Sequence, residues 1–254
     1  MTILREERIG NQRLILGDCL AIMPGLGRFG HVICDPPYED ELHSAIGRIR
    51  RNDGVAMPSS LGFAGINAIR ERVAQAAIAG ADGWVILFTL AEGVRAWRDD
   101  IQAHGGKYDT CIAWVKPDST PRMNGQGPAR GFECAVTAWA GKGRRRWNAG
   151  GKRGVYTHTV NPPDRTGKHP TEKPWRLMAE LLRDFTSPDD TILDPFMGSG
   201  TTLVACQKMG RSGTGIEIDP QYFDVACRRV EEAARQPNMF ISEHTAKPSQ
   251  EALL

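Results

Sequence analysis

The sequence predicts an α/β fold built on a doubly wound, mostly parallel sheet. Two observations carry that reading. Short apolar runs suited to buried strands alternate with longer stretches of helical period along most of the 254 residues, which is the pattern of βαβ units. Two of those runs also stop abruptly in residues that end a strand and admit a ligand. HVICDPPYED (31–40) ends in an acid and two prolines, which lack the N–H a central ladder needs. ILDPFMGSGTT (192–202) ends in an acid and a Gly-rich turn. Open α/β sheets place their ligands outside such carboxyl ends.

The elements follow in order. RLILGD (13–18) and HVICD (31–35) read as strands, and 39–60, with Arg48, Arg50, Arg51, Gly54 and Pro58, reads as a mobile loop without period. AGINAIRERVAQAAIAG (64–80) is helical, with Ile66, Ile69, Val73, Ala76 and Ala77 on one face. GWVILFT (83–89) is a buried strand, AEGVRAWRDDIQAHGG (91–106) a helix stopped by its glycine pair, and TCIAWVK and ECAVTAWA two more strands. From 141 to 170 no period is visible. EKPWRLMAELLRDFT is an amphipathic helix with Trp175, Leu177, Met178, Leu181 and Leu182 in its apolar set. TILD is a strand, TTLVACQKMG a helix, GTGIEID a strand, and PQYFDVACRRVEEAARQ a helix with Pro220 in its first turn. These elements fit one domain over 1–240, and 241–254 reads as a loose tail.

Composition bounds the class. The hydrophobic share of 41% is ordinary for a globular chain, and a net charge of +2 decides little until its distribution is known. Six cysteines without a C-x-x-C spacing read as reduced thiols of a cytosolic protein, with Cys34, Cys111 and Cys134 as small buried hydrophobes. No apolar run approaches the length that spans a membrane, and the first residues lack a signal-peptide core.

The Gly-rich turn has three ligand readings. A Walker A loop needs Gly-Lys-Ser/Thr, and no lysine is present; a dinucleotide fingerprint needs a third glycine that GSGTTL lacks. A site for S-adenosylmethionine fits best: Gly198 and Gly200 allow a tight turn and close approach, Thr201 and Thr202 open a helix, and Glu217 ends the next strand where a carboxylate can accept from both ribose hydroxyls. An ordinary strand–helix turn with solvated acids is the alternative for each motif taken alone.

DPPY after an apolar strand, HPTEKP (169–174) and LDPFMGSGTT, in that order, resemble the β-group DNA amino-methyltransferases, which methylate the exocyclic amine of adenine or cytosine. The likeness runs from about residue 14 to 235. It implies a methyltransferase fold in circularly permuted order, since the strand with the Gly-rich turn comes first in the common order and late here. The helix from Pro220 should then lie beside the first strand, with the chain ends close together. The likeness implies a cofactor site of Asp18 and Cys19 near the adenine ring, Asp194, Pro195, Phe196, Gly198, Ser199, Gly200, Thr201, Thr202, Glu217 and Ile218 around the cofactor, and Thr171 and Lys173 toward its methionine end. Thr171 as a helix cap is the plain alternative.

The catalytic set is then Asp35, Pro36, Pro37 and Tyr38. A conjugated exocyclic amine is a poor nucleophile, and accepting its hydrogens through the Asp35 carboxylate and the Pro36 carbonyl would draw it toward a tetrahedral form. Tyr38 would stack on a base flipped from the duplex. No metal is required. NPPD (161–164) lacks the aromatic and reads as a turn. Between 141 and 168 lie eight Lys and Arg against one acid, including Arg144, Arg145, Arg146, Lys152 and Arg153, with Trp147 and Tyr156 interleaved. This reads as an arm for double-stranded DNA. The resemblance thus implies a site-specific adenine-N6 enzyme of the restriction–modification kind, with cytosine N4 as the nearest alternative, and it admits a homodimer. A protein-glutamine methyltransferase would use NPPY instead of DPPY, and a non-catalytic DNA-binding relic need not keep Asp35 and Tyr38.

Overall fold

A computed structural model describes residues 2–37, 66–122, 125–160 and 173–236. Tyr38, Thr171, the 39–60 loop, NPPD and the tail lie outside the described residues. Among those described, nine strands form one sheet in the order β1-β2-β9-β8-β3-β4-β6-β5-β7. They are β1 (Arg5–Ile9), β2 (Gln12–Leu16), β3 (His31–Cys34), β4 (Trp84–Thr89), β5 (Lys107–Val115), β6 (Phe132–Trp139), β7 (Val155–Thr157), β8 (Thr191–Asp194) and β9 (Ser212–Glu217). The helices are α1 (Cys19–Ile22), α2 (Arg70–Gly80), α3 (Val94–Ala103), α4 (Trp175–Phe185), α5 (Thr201–Lys208) and α6 (Pro220–Arg235).

Strands β2, β9, β8, β3 and β4 run parallel, while β1 and β6 are antiparallel to their neighbours in that block. All of β3 and β4 is buried, as strands covered on both faces require. Their side chains alternate between two layers. Val32, Cys34, Val85 and Leu87 pack with Val73, Ala77, Trp97 and Ile101 of α2 and α3. Ile33, Ile86 and Phe88 pack with Leu177, Leu181 and Leu182 of α4 on the other face. Leu14 and Leu16 meet Leu203 of α5 and Phe223, Ala226 and Val230 of α6.

The expected permuted arrangement is visible in the packing. Arg5 Nη1 donates to Asp224 Oδ1 of α6 at 2.8 Å, and its guanidinium lies 5.1 Å from the Phe223 ring centre. Near the start of the chain, β2 pairs with β9 from near its end, Leu16 opposite Glu217.

Three expectations are corrected. The helix read from residue 64 starts at Arg70, after a 3-10 turn over Ile66–Ala68. The helix read over 91–106 is a 3-10 turn, Ala91–Gly93, followed by α3. Cys111 is only half-buried, because it lies on β5 toward the sheet's edge, whereas Cys34 and Cys134 are buried. Strands β1 and β7 were not expected. β1 is REERI, half-exposed, and among the described residues pairs only with β2; β7 has three residues inside a Gly- and Arg-rich stretch.

Candidate active site

The carboxyl ends of β2, β9, β8 and β3 stand side by side, so Asp18, Glu217, Asp194 and Asp35 emerge along one edge of the sheet. Adjacent strands are about 4.8 Å apart, which puts the β3 and β9 ends about 10 Å from each other.

Gly198 has φ +51° and Gly200 φ +79°, both in the left-handed region that glycine tolerates. Their uses differ. A Cβ on Gly198 would meet nothing within 4 Å, so this side of the turn is open to a ligand. A Cβ on Gly200 would come within 2.9 Å of Ala226 Cβ, so Gly200 serves the packing of α6 against the turn. From beneath, Arg229 of α6 donates to the Ser199 carbonyl at 2.6 Å and to Ser199 Oγ at 2.7 Å. Ser199, Thr201 and Thr202 are all buried.

Glu217 is buried and accepts from Gly198 N at 2.9 Å and Asp219 N at 2.8 Å, so the second strand end holds the first strand's turn. Burial raises its carboxyl pKa, and the backbone N–H groups oppose that. Asp194 is pushed up to about 7, chiefly by burial and further by Asp35 and Glu217, while the Thr202 hydroxyl and the Phe196 N–H pull it down. Next to Glu217, Ile218 is 60% exposed, and Phe196 is half-buried. Asp18 is exposed and caps α1, accepting from Leu20 N at 2.9 Å. Cys19 is buried behind it, its thiol raised to about 12 by burial and by Asp18. Pro195 and Pro36 are buried, and Pro37 is half-buried.

Asp35 has company that the sequence did not announce. Lys173 Nζ donates to Asp35 Oδ2 at 2.6 Å and lies 3.0 Å from Glu133 Oε2. Lys116 in turn pairs with Glu133. Lys173, expected at the methionine end of a cofactor, therefore reaches the candidate catalytic carboxylate. Burial penalises its ammonium, but Asp35 and Glu133 outweigh that and hold its pKa above the ordinary value. Glu133 and Arg229 are the site residues missed. The signal for Glu133 was one acid at the head of the otherwise apolar run FECAVTAW.

The basic arm starts at the other edge, and β7, parallel to β5, carries the chain back toward the Glu133 end of β6; residues 161–168, with Arg165 and Lys168, lie outside the described residues. The arm leaves the far end of β6, since β6 is antiparallel to β4 and Trp139 pairs with Trp84. Arg145 pairs with Asp109 near the start of β5, and Arg146 lies 3.3 Å from Asp190, just before β8. The Arg146 carbonyl accepts from Trp84 Nε1. Lys152 binds Glu180 at 2.8 Å and Asp184 on α4, and Arg144 and Arg153 are exposed. The six residues of β4 alone put about 17 Å between the Trp84 end and the Asp35 edge.

Sheet order and strand-end acids together define a protein of the methyltransferase fold. More narrowly, the chain belongs to the N6/N4 DNA methylase family, whose profile matches residues 29–228. It is 31% identical over 158 residues to the type II methyltransferase M.Cfr9I of Citrobacter freundii, 58% of this chain and 49% of that protein. It is 28% identical over 149 residues to M2.LlaDCHI of Lactococcus lactis subsp. cremoris, 53% of this chain and 55% of that one. The matched stretches thus span about half the length of these relatives. Among solved structures, M1.HpyAVI in complex with S-adenosylmethionine superposes with a TM-score of 0.68 at 25% identity, over 86% of this chain and 98% of that one. The cytosine-N4-specific PvuII DNA methyltransferase shares the fold, with a TM-score of 0.66 at 15% identity, over 90% of each chain. No helix among the described residues is long and apolar enough to cross a membrane.

Proposed function

We propose that the chain transfers a methyl group from S-adenosylmethionine to the exocyclic N6 amine of adenine in double-stranded DNA. The observation that carries this is the strand-end edge itself: Asp35 at β3 and the open Gly198 turn held by Glu217, about two strand spacings apart. The residues fit the cofactor. The Gly198 side of the turn is open, Glu217 ends β9 where a ribose would lie, Ile218 offers an exposed apolar face for a ring, and four acids line the edge for a cationic ligand.

When bound, S-adenosylmethionine supplies an electrophilic methyl group. The chain's part is to present the amine. Asp35 accepts one amine hydrogen and the Pro36 carbonyl the other, which pulls the nitrogen lone pair out of conjugation. Proline fixes φ at that position and so steadies the carbonyl's direction. The base has to leave the duplex to reach this edge, at a cost of a few kcal/mol, and Tyr38 returns part of it by stacking. The DPPY strand end also suits the N4 amine of cytosine, and the PvuII structure keeps that second reading in view.

Incubation with labelled S-adenosylmethionine and mixed genomic DNA, followed by nucleoside analysis, tests the reading. N6-methyladenine is expected; N4-methylcytosine would transfer it to the second target, and an unlabelled pool would overturn it. Asp35→Ala should lower turnover by about 10²–10³ while calorimetry shows near-normal cofactor affinity. Gly198→Val should do the reverse at the first step, weakening cofactor binding, because it fills the open side of the turn and strains a positive φ.

A further inference from the structure

We propose that Lys173 and Glu133 are positioning residues for the reaction, a charge relay centred on the buried Lys173 that aims the Asp35 carboxylate at the amine and sets its strength as an acceptor. The proposal rests on Asp35 being that acceptor.

Four side chains alternate in sign: Lys116, Glu133, Lys173 and Asp35. They come from four places in the chain. Lys116 follows β5, Glu133 opens β6, Lys173 precedes α4 and Asp35 follows β3. Trp114 and Glu133 are directly paired across β5 and β6, which sets Glu133 beside the Lys116 end of β5. The Lys173 ammonium sits 5.1 Å from the Phe88 ring centre and 5.7 Å from that of Trp114, and its side chain is 6% exposed. These rings hold it off from water on the sheet side.

Such a relay is a poor device for stability alone. Desolvating a buried ion pair offsets most of its attraction, and apolar replacements of similar volume are often as stable. Its geometry has another use. Lys173 fixes one carboxylate oxygen of Asp35 and stops the group rotating. A lone ammonium at 2.6 Å would also drain the carboxylate's acceptor strength, and Glu133, sharing that ammonium at 3.0 Å, limits the drain. The antiparallel end of the sheet, which carries none of the expected catalytic or cofactor-binding residues, thereby acts on the parallel end. Among the described residues, Asp194 at the end of β8 and the buried Cys34 thiol also face Asp35; neither is a cation.

The relay predicts shifts of opposite sign. The Asp35 carboxyl can be titrated by carbon-13 NMR in the cofactor-free chain, its signal assigned with Asp35→Asn. In Lys173→Met its titration midpoint should rise, and in Glu133→Gln it should fall. With DNA substrate, kcat should drop by about 10²-fold in Lys173→Met, of the order a misplaced reacting group costs. The acid limb of its pH profile should move up, and Lys173→Arg should restore part of the rate. An Asp35 midpoint unmoved in both variants, or moved the same way in both, would overturn the proposal. So would a Lys173→Met chain whose only change is weaker cofactor binding. Failure of the wild-type chain to methylate DNA would sink the functional reading instead, while the titrations would still report on the relay.

Discussion

Asp194 is the carboxyl whose environment most alters its behaviour near neutral pH. Burial above all, with Asp35 and Glu217 adding, lifts it to about 7. A ligand carrying positive charge favours its ionised form. Cofactor affinity should therefore climb as pH rises through about 7 and level off above it, since below that pH binding has to displace the carboxyl proton. Calorimetry from pH 6 to 8 should show this slope in the wild-type chain and a flatter one in Asp194→Asn; equal slopes would assign the dependence to another group. At this scale, legibility depended on where a residue's partners lie in sequence. Asp35, Asp194, Gly198 and Glu217 stand inside short motifs whose neighbours declare them. Glu133 and Arg229 act on residues 40, 30 and 28 positions away, through Lys173, Ser199 and Thr201, and no local pattern carries that information.

Between elements, the basic stretch after β6 shows that composition does not by itself give place. Its charge density is real, but Arg145 and Arg146 neutralise Asp109 and Asp190 at the amino ends of strands, and Lys152 is held by Glu180 and Asp184 of α4. Arg145 and Arg146 thus sit at the strand ends away from Asp35, whereas residues 161–168, which follow β7, lie outside the described residues. Replacing Arg144, Arg145 and Arg146 with Ala should leave the salt dependence of DNA binding unchanged. A slope reduced by about 0.9 per arginine would show that this arm does reach phosphates. The strands read well where burial made them apolar, as in β3 and β4. β1 and β7 were hidden because an edge strand needs no apolar alternation: one is mostly charged, and the other has three residues.

For the whole molecule, the order of motifs along the chain predicted which ends would meet, and the Arg5–Asp224 and β2–β9 contacts carry that arrangement. One consequence concerns synthesis. The strands at the centre of the parallel block, β8 and β9, belong to about the last quarter of the chain. Until they emerge from the ribosome, the β1–β2 hairpin and the β3-β4-β6-β5-β7 portion have no strand between them. Each then has an unpaired apolar edge, a hazard for association with other chains. Closing the gap joins residues about 200 positions apart, a long-range step that slows folding. Nascent chains arrested with residue 190 just outside the tunnel should therefore be cut readily by protease, and resistance should appear only once residues 191–236 are free. Early resistance would mean that the incomplete sheet finds another partner, such as a chaperone, before its own centre arrives.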